Sequence, residues 1–281
     1  RPYYRYHGKF LFSLTREEGS WLSTKNGKGK ESDTRIAAGP VPEVAIFAWE
    51  EGKIPRGLIQ LETLKGNSTN PETFDFPVLI ERIPGACSET VIRKPDPVVM
   101  GRMIARAVYL ESIGVKCITT SCGFNAIFQR EIASSVKIPF FSSSLIQIPF
   151  IRSIYGVERE IIVVTARKGS LKKEHFEATG TTDLSGLHIY GMGEDCGEWR
   201  KMREDFNAEL DLVLLKKQFV EIVVGAVKEH PKSVAILFEC TDMPPFSNPV
   251  REATGLPVFD FVTMTEFVYN AVHSGVRNER S

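Results

Sequence analysis

Short apolar runs along this chain alternate with stretches in which apolar residues recur at helical spacing. The run 115–120 precedes a predicted helix over 125–136, and the run 160–165 precedes one over 168–178. Short apolar runs bounded by turn residues are typical of buried strands. Strands that alternate with helices form parallel sheets through right-handed crossovers, so the pattern predicts an α/β protein.

Each half of the chain contains enough of these runs for a sheet of about four strands. The predicted strands are 57–62, 76–83, 115–120 and 137–141 in the first half, and 160–165, 187–190, 233–238 and 257–261 in the second. Further helices are predicted to end near Tyr155 and to lie over 199–230 and 263–272, and 244–253 is predicted to be a short helix or turn.

One predicted helix has clear signals at both ends. Asp96 is a suitable N-cap, Pro97 suits the first helical position, and Gly114 is a suitable stop. Four apolar residues between these signals recur at helical spacing and predict one buried face: Val99, Met103, Ala107 and Leu110.

A strand–cysteine–helix unit occurs twice with the same internal spacing. Cys122 follows the apolar run 115–118, and Cys240 follows the run 234–238. Each cysteine stands 17 residues before a proline that opens the next predicted strand, Pro139 and Pro257 respectively. Two units in register indicate a duplicated α/β half with one cysteine in each copy.

The duplication predicts two pseudo-symmetric α/β domains, each a mainly parallel four-stranded sheet flanked by helices. We expect an N-terminal extension over 1–56, a first domain over 57–150 and a second over 151–261, with a last helix within 262–281 that packs back on the first domain. Ligands of open α/β sheets bind beyond the carboxyl ends of the strands. Both cysteines follow such ends, so we expect an active site in the cleft between the domains, with one thiol on each wall.

Charge and composition exclude several classes of function. Lysine plus arginine and aspartate plus glutamate number 35 each, and no basic cluster stands out, which argues against nucleic acid or an anionic membrane as a partner. Every apolar run is far shorter than the roughly 20 residues of a membrane span. We therefore expect a soluble protein. The chain begins at Arg1, so targeting gives no guide to its compartment.

The five cysteines show neither a disulfide-like spacing nor a Cys-x-x-Cys pair, which favours a reducing intracellular compartment, the cytoplasm or an organelle. We expect no metal site and no cofactor, because no paired histidine motif and no Gly-rich phosphate loop occur. The five histidines are expected to be surface or core residues. They are His7, His175, His188, His230 and His273.

Cys122 and Cys240 are the candidate catalytic residues. Each precedes a predicted helix, whose N-terminal dipole would stabilise a thiolate. Two thiols on opposite faces of a small substrate can act as base and acid without metal or cofactor. Cys87, Cys117 and Cys196 lack this placement, and we expect them to be buried and inert.

Residues beside the two thiols are candidate substrate contacts. Those expected to line the cleft are Ser121, Gly123, Phe124, Thr241 and Asp242. Backbone N–H groups at these helix starts are suited to hold a carboxylate or an enolate. Ser142, Ser143 and Thr165 also follow strands and are either ligand-facing or helix caps.

These motifs resemble the aspartate/glutamate racemase superfamily over about residues 56–275. The motifs that carry the resemblance are Ile118–Phe124 with Gln129, Ser142–Leu145, Phe238–Pro245, Asn70–Val78 and Thr254–Asp260. The resemblance implies two pseudo-symmetric domains, proton transfer by two cysteines next to a carboxylate, and assembly as a homo-oligomer, a dimer or tetramer. It gives Cys122 and Cys240 the two acid/base roles.

Three departures distinguish this chain from glutamate racemases. Gln60–Thr63 stands in place of an Asp-Ser-Gly motif, Cys122–Phe124 in place of Cys-Asn-Thr, and Cys240–Asp242 in place of Cys-Thr-His. The polar grip for an α-amino group is thus largely missing, and an aromatic residue, which can hold a sulfonium or ammonium cation, appears instead.

Three functions are compatible with these features. The Cys-Gly-Phe and Glu-Cys-Thr-x-x-Pro-Pro patterns are similar to the algal dimethylsulfoniopropionate (DMSP) lyase branch, which implies a β-elimination that gives dimethyl sulfide and acrylate. The first alternative is an amino-acid racemase of the aspartate/glutamate type. The second is a non-catalytic binding protein with the same fold, against which the two equivalent thiols argue.

Overall fold

In the computed structural model, which describes residues 15–17, 20–22 and 41–273, the strands form two four-stranded parallel sheets. A short antiparallel pair, Thr15–Glu17 (β1) and Ser20–Leu22 (β2), precedes them. The first sheet comprises Val44–Ala48 (β3), Val78–Arg82 (β4), Cys117–Thr120 (β5) and Phe140–Phe141 (β6). The second comprises Glu160–Thr165 (β7), Leu187–Gly191 (β8), Ser233–Phe238 (β9) and Val258–Phe259 (β10).

Helices flank both sheets. Those of the first half are Arg56–Leu61 (α1), Pro97–Ser112 (α2), Gln129–Ala133 (α3) and Gln147–Tyr155 (α4). Those of the second half are Lys173–Ala178 (α5), Met192–Asp195 (α6), Gly197–Glu204 (α7), Leu212–Glu229 (α8), Ser247–Thr254 (α9) and Phe261–Val272 (α10). Single helical turns lie at Ser88–Arg93, Gly123–Phe128, Ser144–Ile146, Lys168–Ser170 and Pro244–Phe246.

The two sheets have equivalent strand orders, β4-β3-β5-β6 and β8-β7-β9-β10. Their registers agree as well, because Ile118 pairs with Phe140 and Ile236 with Val258. Both pairs are parallel, and in both the partners stand 22 residues apart. The predicted fold, two pseudo-symmetric α/β domains with parallel sheets, is confirmed.

Helix α2 forms where the sequence signals place it. The Asp96 side chain accepts a hydrogen bond from Val98 N at 2.8 Å, and Pro97 occupies the first turn. The four apolar residues at helical spacing are the four buried ones. Gly114 follows the helix with φ of 102°, a left-handed conformation that favours glycine.

The last helix packs against the first sheet. Phe261 and Met264 of α10 are buried in one cluster with Val44 and Ile46 of β3. Tyr269 of α10 stacks on a ring from the loop before β4. The chain therefore returns to its first half after completing the second sheet, as the sequence analysis expected for this helix, although the division into domains stays a prediction.

The predicted strand over 57–62 is wrong, because these residues form helix α1. Pro55 precedes the helix, and Gly57 and Leu61, spaced by about one turn, face the interior. A six-residue run with two inward positions fits either periodicity, so its length could not decide between strand and helix. The centre of the first sheet is β3, which is buried over its whole length and lies within the expected N-terminal extension.

Two long predicted helices are interrupted. Only 129–133 of the predicted helix 125–136 is α-helical, and a tighter turn over 123–128 precedes it. The predicted helix 199–230 divides into α7 and α8, since the Asp211 side chain accepts hydrogen bonds from two backbone N–H groups and starts a new helix. No helix in the described part of the chain has the length and apolar character that a membrane crossing needs.

We predict that Phe219→Ala destabilises the protein by about 3–5 kcal/mol, the usual range for removing a buried phenylalanine ring. Phe219 of α8 is fully buried and packs edge-on to Phe238 and face-on to Phe246, at centroid distances of 5.3 and 4.7 Å. Urea unfolding followed by circular dichroism measures the loss. Val213→Ala on the same helix is the control, because Val213 is 82% exposed. Equal unfolding midpoints for the two variants would contradict the predicted packing.

Candidate active site

Both candidate cysteines line one cleft between the two sheets, a cavity of about 100 Å³ that opens to solvent. The thiols lie just beyond the carboxyl ends of the equivalent strands β5 and β9, and each residue is 8% exposed. Residues at the carboxyl ends of β3, β4 and β7 line the same space, namely Trp49, Arg82 and Arg167. The cleft therefore lies where open parallel sheets bind their ligands.

The Cys122 sulfur lies close to two N–H groups, those of the Phe124 backbone and the Trp49 indole, and both lower the thiol pKa. The indole N–H is buried without a hydrogen-bond partner among the described residues. Burial, followed by the charges of Glu239 and Asp242, outweighs these donors and raises the pKa of the Cys122 thiol far above its ordinary value.

The Cys240 sulfur has a carboxylate as its side-chain partner. Its thiol donates to Asp242 Oδ2 at 3.6 Å, and the sulfur accepts from the Asp242 backbone N–H. Burial, then the charges of Asp242 and Glu239, raise the pKa of the Cys240 thiol well above its ordinary value. Asn67 Nδ2 donates to Asp242 Oδ1 at 2.7 Å, so the carboxylate is held from the side away from the thiol.

Two carboxyl groups beside the thiols ionise near neutral pH. Burial, and to a smaller extent the charge of Asp242, raises the pKa of Glu239 to about 7 against the hydrogen bond that its Oε2 accepts from Thr165. Burial, and next Glu62, raises the pKa of Asp242 to about 7 against the Asn67 amide. Glu239 Oε1 is buried without a hydrogen-bond partner among the described residues. The charge beside the thiols therefore changes close to pH 7.

The expectation that helix dipoles lower both thiol pKa values is wrong. The turn after Cys122 spans only 123–128, and the turn after Cys240 starts at Pro244. Loss of hydration and the adjacent carboxylates both favour the uncharged thiol. The dipoles of such short turns are too weak to offset this rise in the thiol pKa. Each thiol therefore needs a nearby group that accepts its proton.

Four of the predicted contact residues line the cleft. They are Ser121, Gly123, Phe124 and Asp242. The Phe124 ring is itself buried and meets His175 edge-on at 5.6 Å, so its faces are largely covered by protein. The indoles of Trp49 and Trp199 supply further aromatic surface in the cleft.

The other four predicted contact residues do not line the cleft, and their side chains form hydrogen bonds within the protein instead. They are Ser142, Ser143, Thr165 and Thr241. Ser142 Oγ donates to Gln129 Oε1 at 2.7 Å, and Ser143 Oγ caps a turn by accepting from Leu145 N. Thr165 Oγ1 donates to Glu239 at 2.8 Å, and Thr241 Oγ1 donates to the Ser121 carbonyl at 2.5 Å. The sequence left open whether Ser143 faces a ligand or caps a helix, and the structure shows the cap.

The other cysteines differ in their surroundings. Cys117 is buried in β5, where burial raises its thiol pKa to about 12, and buried Cys196 donates to Gln218. Both agree with the expectation of buried thiols. Cys87 does not, because it is half-buried. Burial raises its pKa, but hydrogen bonds from Thr90 outweigh this effect and leave the pKa below its ordinary value.

Several charged residues of the cleft were missed by the sequence analysis. Arg167 is half-buried close to Arg203, and its charge interacts with Cys122. Glu62 interacts with Asp242 on the Cys240 side and lies 4.0 Å from Arg82. Arg167 and Arg203 thus bring positive charge to the cleft, and Glu62, Glu239 and Asp242 bring carboxyl groups. Of the two arginines, only Arg167 follows a predicted strand, which was the one signal the sequence offered.

Curated relatives of this chain share one name. Dimethylsulfoniopropionate lyase 7 of Emiliania huxleyi (strain CCMP1516) is 31% identical over 267 residues, which cover 85% of this chain and 74% of the relative. The dimethylsulfoniopropionate lyase of Durusdinium sp. clade D is 29% identical over 263 residues, 82% of this chain and 83% of the relative. Dimethylsulfoniopropionate lyase 6 of Emiliania huxleyi is 33% identical over 207 residues, and the match spans about half of it, 53%. No family model matches the chain.

Solved structures with the same fold include two racemases. The allantoin racemase from Pseudomonas fluorescens superposes with a TM-score of 0.56 at 13% identity and covers 84% of this chain and 94% of its own. The Picrophilus torridus aspartate racemase superposes with a TM-score of 0.51 at 12% identity and covers 81% of this chain and 94% of its own. These likenesses confirm the fold that the resemblance implied. The identity and coverage of the curated relatives show in addition that this chain is an enzyme that belongs to the family of the algal dimethylsulfoniopropionate lyases.

Proposed function

We propose that this enzyme cleaves DMSP by β-elimination into dimethyl sulfide and acrylate. The observation that carries the proposal is that two thiols, Cys122 and Cys240, line one cleft and that the Cys240 thiol is hydrogen-bonded to the Asp242 carboxylate. The names of the curated relatives support DMSP as the substrate. The substrate class, a small carboxylate, agrees with the sequence analysis, and assembly as a homo-oligomer stays a prediction.

In the proposed reaction, Cys240 is the base. Its proton passes to Asp242 Oδ2 along the hydrogen bond of 3.6 Å, and the thiolate then removes a proton from the carbon next to the substrate carboxylate. The electron pair of that C–H bond forms the C=C bond of acrylate, and the β-carbon–sulfur bond breaks with its electrons on sulfur. Dimethyl sulfide leaves as a neutral molecule, and Asp242 releases its proton to water. The step uses only side chains of this chain.

Cys122 would act on the opposite wall as a positioning group. Its sulfur lies beside the N–H groups of Phe124 and Trp49, and its S–H can donate toward the substrate carboxylate. Charge accumulates on that carboxylate as the α-proton departs, and donors aimed at developing charge lower the barrier. The thiol would thus stabilise an enolate-like transition state.

The charge distribution of the cleft suits a zwitterion. DMSP has a carboxylate at one end and a dimethylsulfonium cation at the other. Arg167, close to Arg203 and Cys122, would attract the carboxylate. Glu62 and Asp242, with the indole faces of Trp49 and Trp199 in the same cleft, would attract the sulfonium.

An amino-acid racemase of the aspartate/glutamate type is the second candidate. Its supporting observation is the same pair of facing thiols, since one thiol can remove a proton and the other return it to the opposite face. The two functions separate in heavy water. A racemase would incorporate solvent deuterium at the α-carbon of aspartate or glutamate. The lyase would leave both amino acids unlabelled and release dimethyl sulfide from DMSP.

We predict that Cys240→Ser reduces turnover of DMSP by about 10²–10⁴-fold, the usual contribution of a general base. A serine hydroxyl ionises far less readily than a thiol, although it is similar in size. Cys122→Ala removes a donor to developing charge and should cost about 10²–10³-fold. Headspace gas chromatography of dimethyl sulfide measures the rate. Cys117→Ser is the control and should retain turnover, because Cys117 is buried in β5 and does not line the cleft.

Two outcomes would contradict the lyase proposal. Deuterium in aspartate or glutamate, with no dimethyl sulfide from DMSP, would favour the racemase. Full turnover in Cys240→Ser would exclude both thiol mechanisms.

We predict that kcat/KM rises with pH through about 7 and levels off above it. Asp242 must be ionised to take the Cys240 proton, and burial raises its pKa to about 7, so acidification below that value removes the acceptor. Asp242→Asn should lose about 10²–10⁴-fold in kcat/KM and flatten this limb of the profile. The exposed Asp205→Asn serves as control and should keep both rate and profile. If kcat/KM of Asp242→Asn still rises with pH through about 7, the ionisation belongs to another group, and Glu239 would be tested next.

Gly123 provides a test of the closeness of the two cleft walls. A Cβ at this residue would overlap the backbone oxygen and the carboxyl group of Glu239, so Gly123→Ala should push the walls apart. Displacements of about 1 Å can reduce turnover by about 10²-fold, which we expect here in kcat/KM. Gly101→Ala is the matched control, because a Cβ at that helical position meets open space. Equal rates in the two variants would contradict the close contact.

A further inference from the structure

A group of polar side chains lies at the amino end of the second sheet, opposite the catalytic cleft. Glu160 opens β7 and pairs with Ser233 at the start of β9. His188 of β8 pairs with Ile162, two residues after Glu160, so Glu160 and His188 lie on the same face of the sheet. The last residues of α8 cover this face, and His230 caps that helix.

The ligand atoms of Glu160, His188 and His230 lie within 4.8 Å of one another. His188 Nε2 and Glu160 Oε2 are 3.2 Å apart, and the two imidazole rings stack with their centroids 3.4 Å apart. All three residues are half-buried. The strands meet irregularly here, since the register of β7 shifts between Glu160 and Ile161.

Two polar atoms of this region lack the hydrogen bonds that burial normally requires. His188 Nε2 and Ser233 Oγ are buried without a hydrogen-bond partner in the described part of the chain, although the first faces the Glu160 carboxylate. Unpartnered buried polar groups of this kind indicate a missing ion or water. An imidazole nitrogen beside a carboxylate and a second imidazole is a donor set that borderline divalent metals prefer.

We propose that Glu160, His188 and His230 bind a divalent transition-metal ion such as Zn²⁺. Zinc bonds of about 2.0–2.2 Å place tetrahedral ligand atoms roughly 3.3–3.5 Å apart, close to the 3.2 Å between His188 and Glu160. A metal must lie near the plane of each imidazole that binds it, so one of the stacked rings must turn. His230 can turn, because it is half-buried at the end of a helix. Water would complete the tetrahedron.

The ion would stabilise the second domain and take no part in catalysis. Its ligands come from β7, β8 and the end of α8, so binding joins the helix to the sheet edge. The carboxyl ends of the same strands face the catalytic cleft at the other end of the sheet. The sequence analysis expected no metal because it sought closely spaced ligands, whereas these three residues are far apart in the chain.

The test is a titration of EDTA-treated, dialysed protein with ZnCl₂, followed by isothermal calorimetry and thermal unfolding. The catalytic thiols are themselves possible zinc ligands, so the titration is repeated on the Cys122→Ser, Cys240→Ser double variant. We expect one Zn²⁺ per chain in both proteins, with a rise of several degrees in Tm. His230→Gln and Glu160→Gln should each weaken binding at least tenfold and abolish the rise in Tm.

The matched control is His273→Gln, which alters another histidine–carboxylate pair. His273 Nδ1 lies 2.5 Å from Glu43 Oε2, and the described residues place no second histidine beside them. This variant should bind zinc like the parent. Release of dimethyl sulfide should be unchanged by EDTA, while Tm falls. The proposal is overturned if neither parent protein binds zinc stoichiometrically, if binding disappears in the double cysteine variant, or if it persists unchanged in both His230→Gln and Glu160→Gln.

Discussion

The burial of two thiols next to carboxyl groups is the constraint on which the proposed chemistry of this enzyme depends. Loss of hydration raises the pKa of Cys122 and Cys240, and the neighbouring carboxylates raise it further. Neither thiolate is therefore stable at rest near neutral pH. The same burial raises the pKa of Glu239 and Asp242 to about 7, which makes these carboxyl groups suitable proton acceptors at neutral pH. Burial thus keeps both thiols protonated at rest and also gives the neighbouring carboxyl groups a pKa at which they can accept a thiol proton.

The duplicated fold holds these groups in place from both domains. Equivalent strands, β5 and β9, end at the two cysteines, and the walls meet where Gly123 lies against Glu239. The Thr241 hydroxyl donates to the Ser121 carbonyl, which ties the two strand ends together across 120 residues of chain. Glycine is required at this contact because any side chain would separate the walls. The distance between the thiols is therefore set by backbone rather than by mobile side chains.

The sequence predicted what depends on repeated or local signals. Equal spacing of Cys122 and Cys240 from their prolines predicted the paired sheets and the shared cleft, and Asp96 and Gly114 marked helix α2. It did not predict β3, although the apolar run 44–48 has the same pattern as the strands that were predicted. Trp49, directly after β3, was consequently missed. The raised pKa values of the thiols could not be predicted from the sequence either. They depend on burial and on the charges of Glu239 and Asp242, which act on both thiols only when the two halves pack together.

The side-chain partners of the two thiols break the symmetry of the backbone. Both sulfurs accept a hydrogen bond from the backbone N–H two residues further along, at Phe124 and at Asp242. Cys122 lies beside the Trp49 indole N–H, whereas the Cys240 thiol donates to an acceptor, the Asp242 carboxylate. A racemase that works in both directions needs two thiols of comparable ability to gain and lose a proton. An elimination moves one proton to one base and needs only stabilisation on the other side. The unequal partners therefore favour elimination, with Cys240 as the base and Cys122 as the group that holds the developing charge.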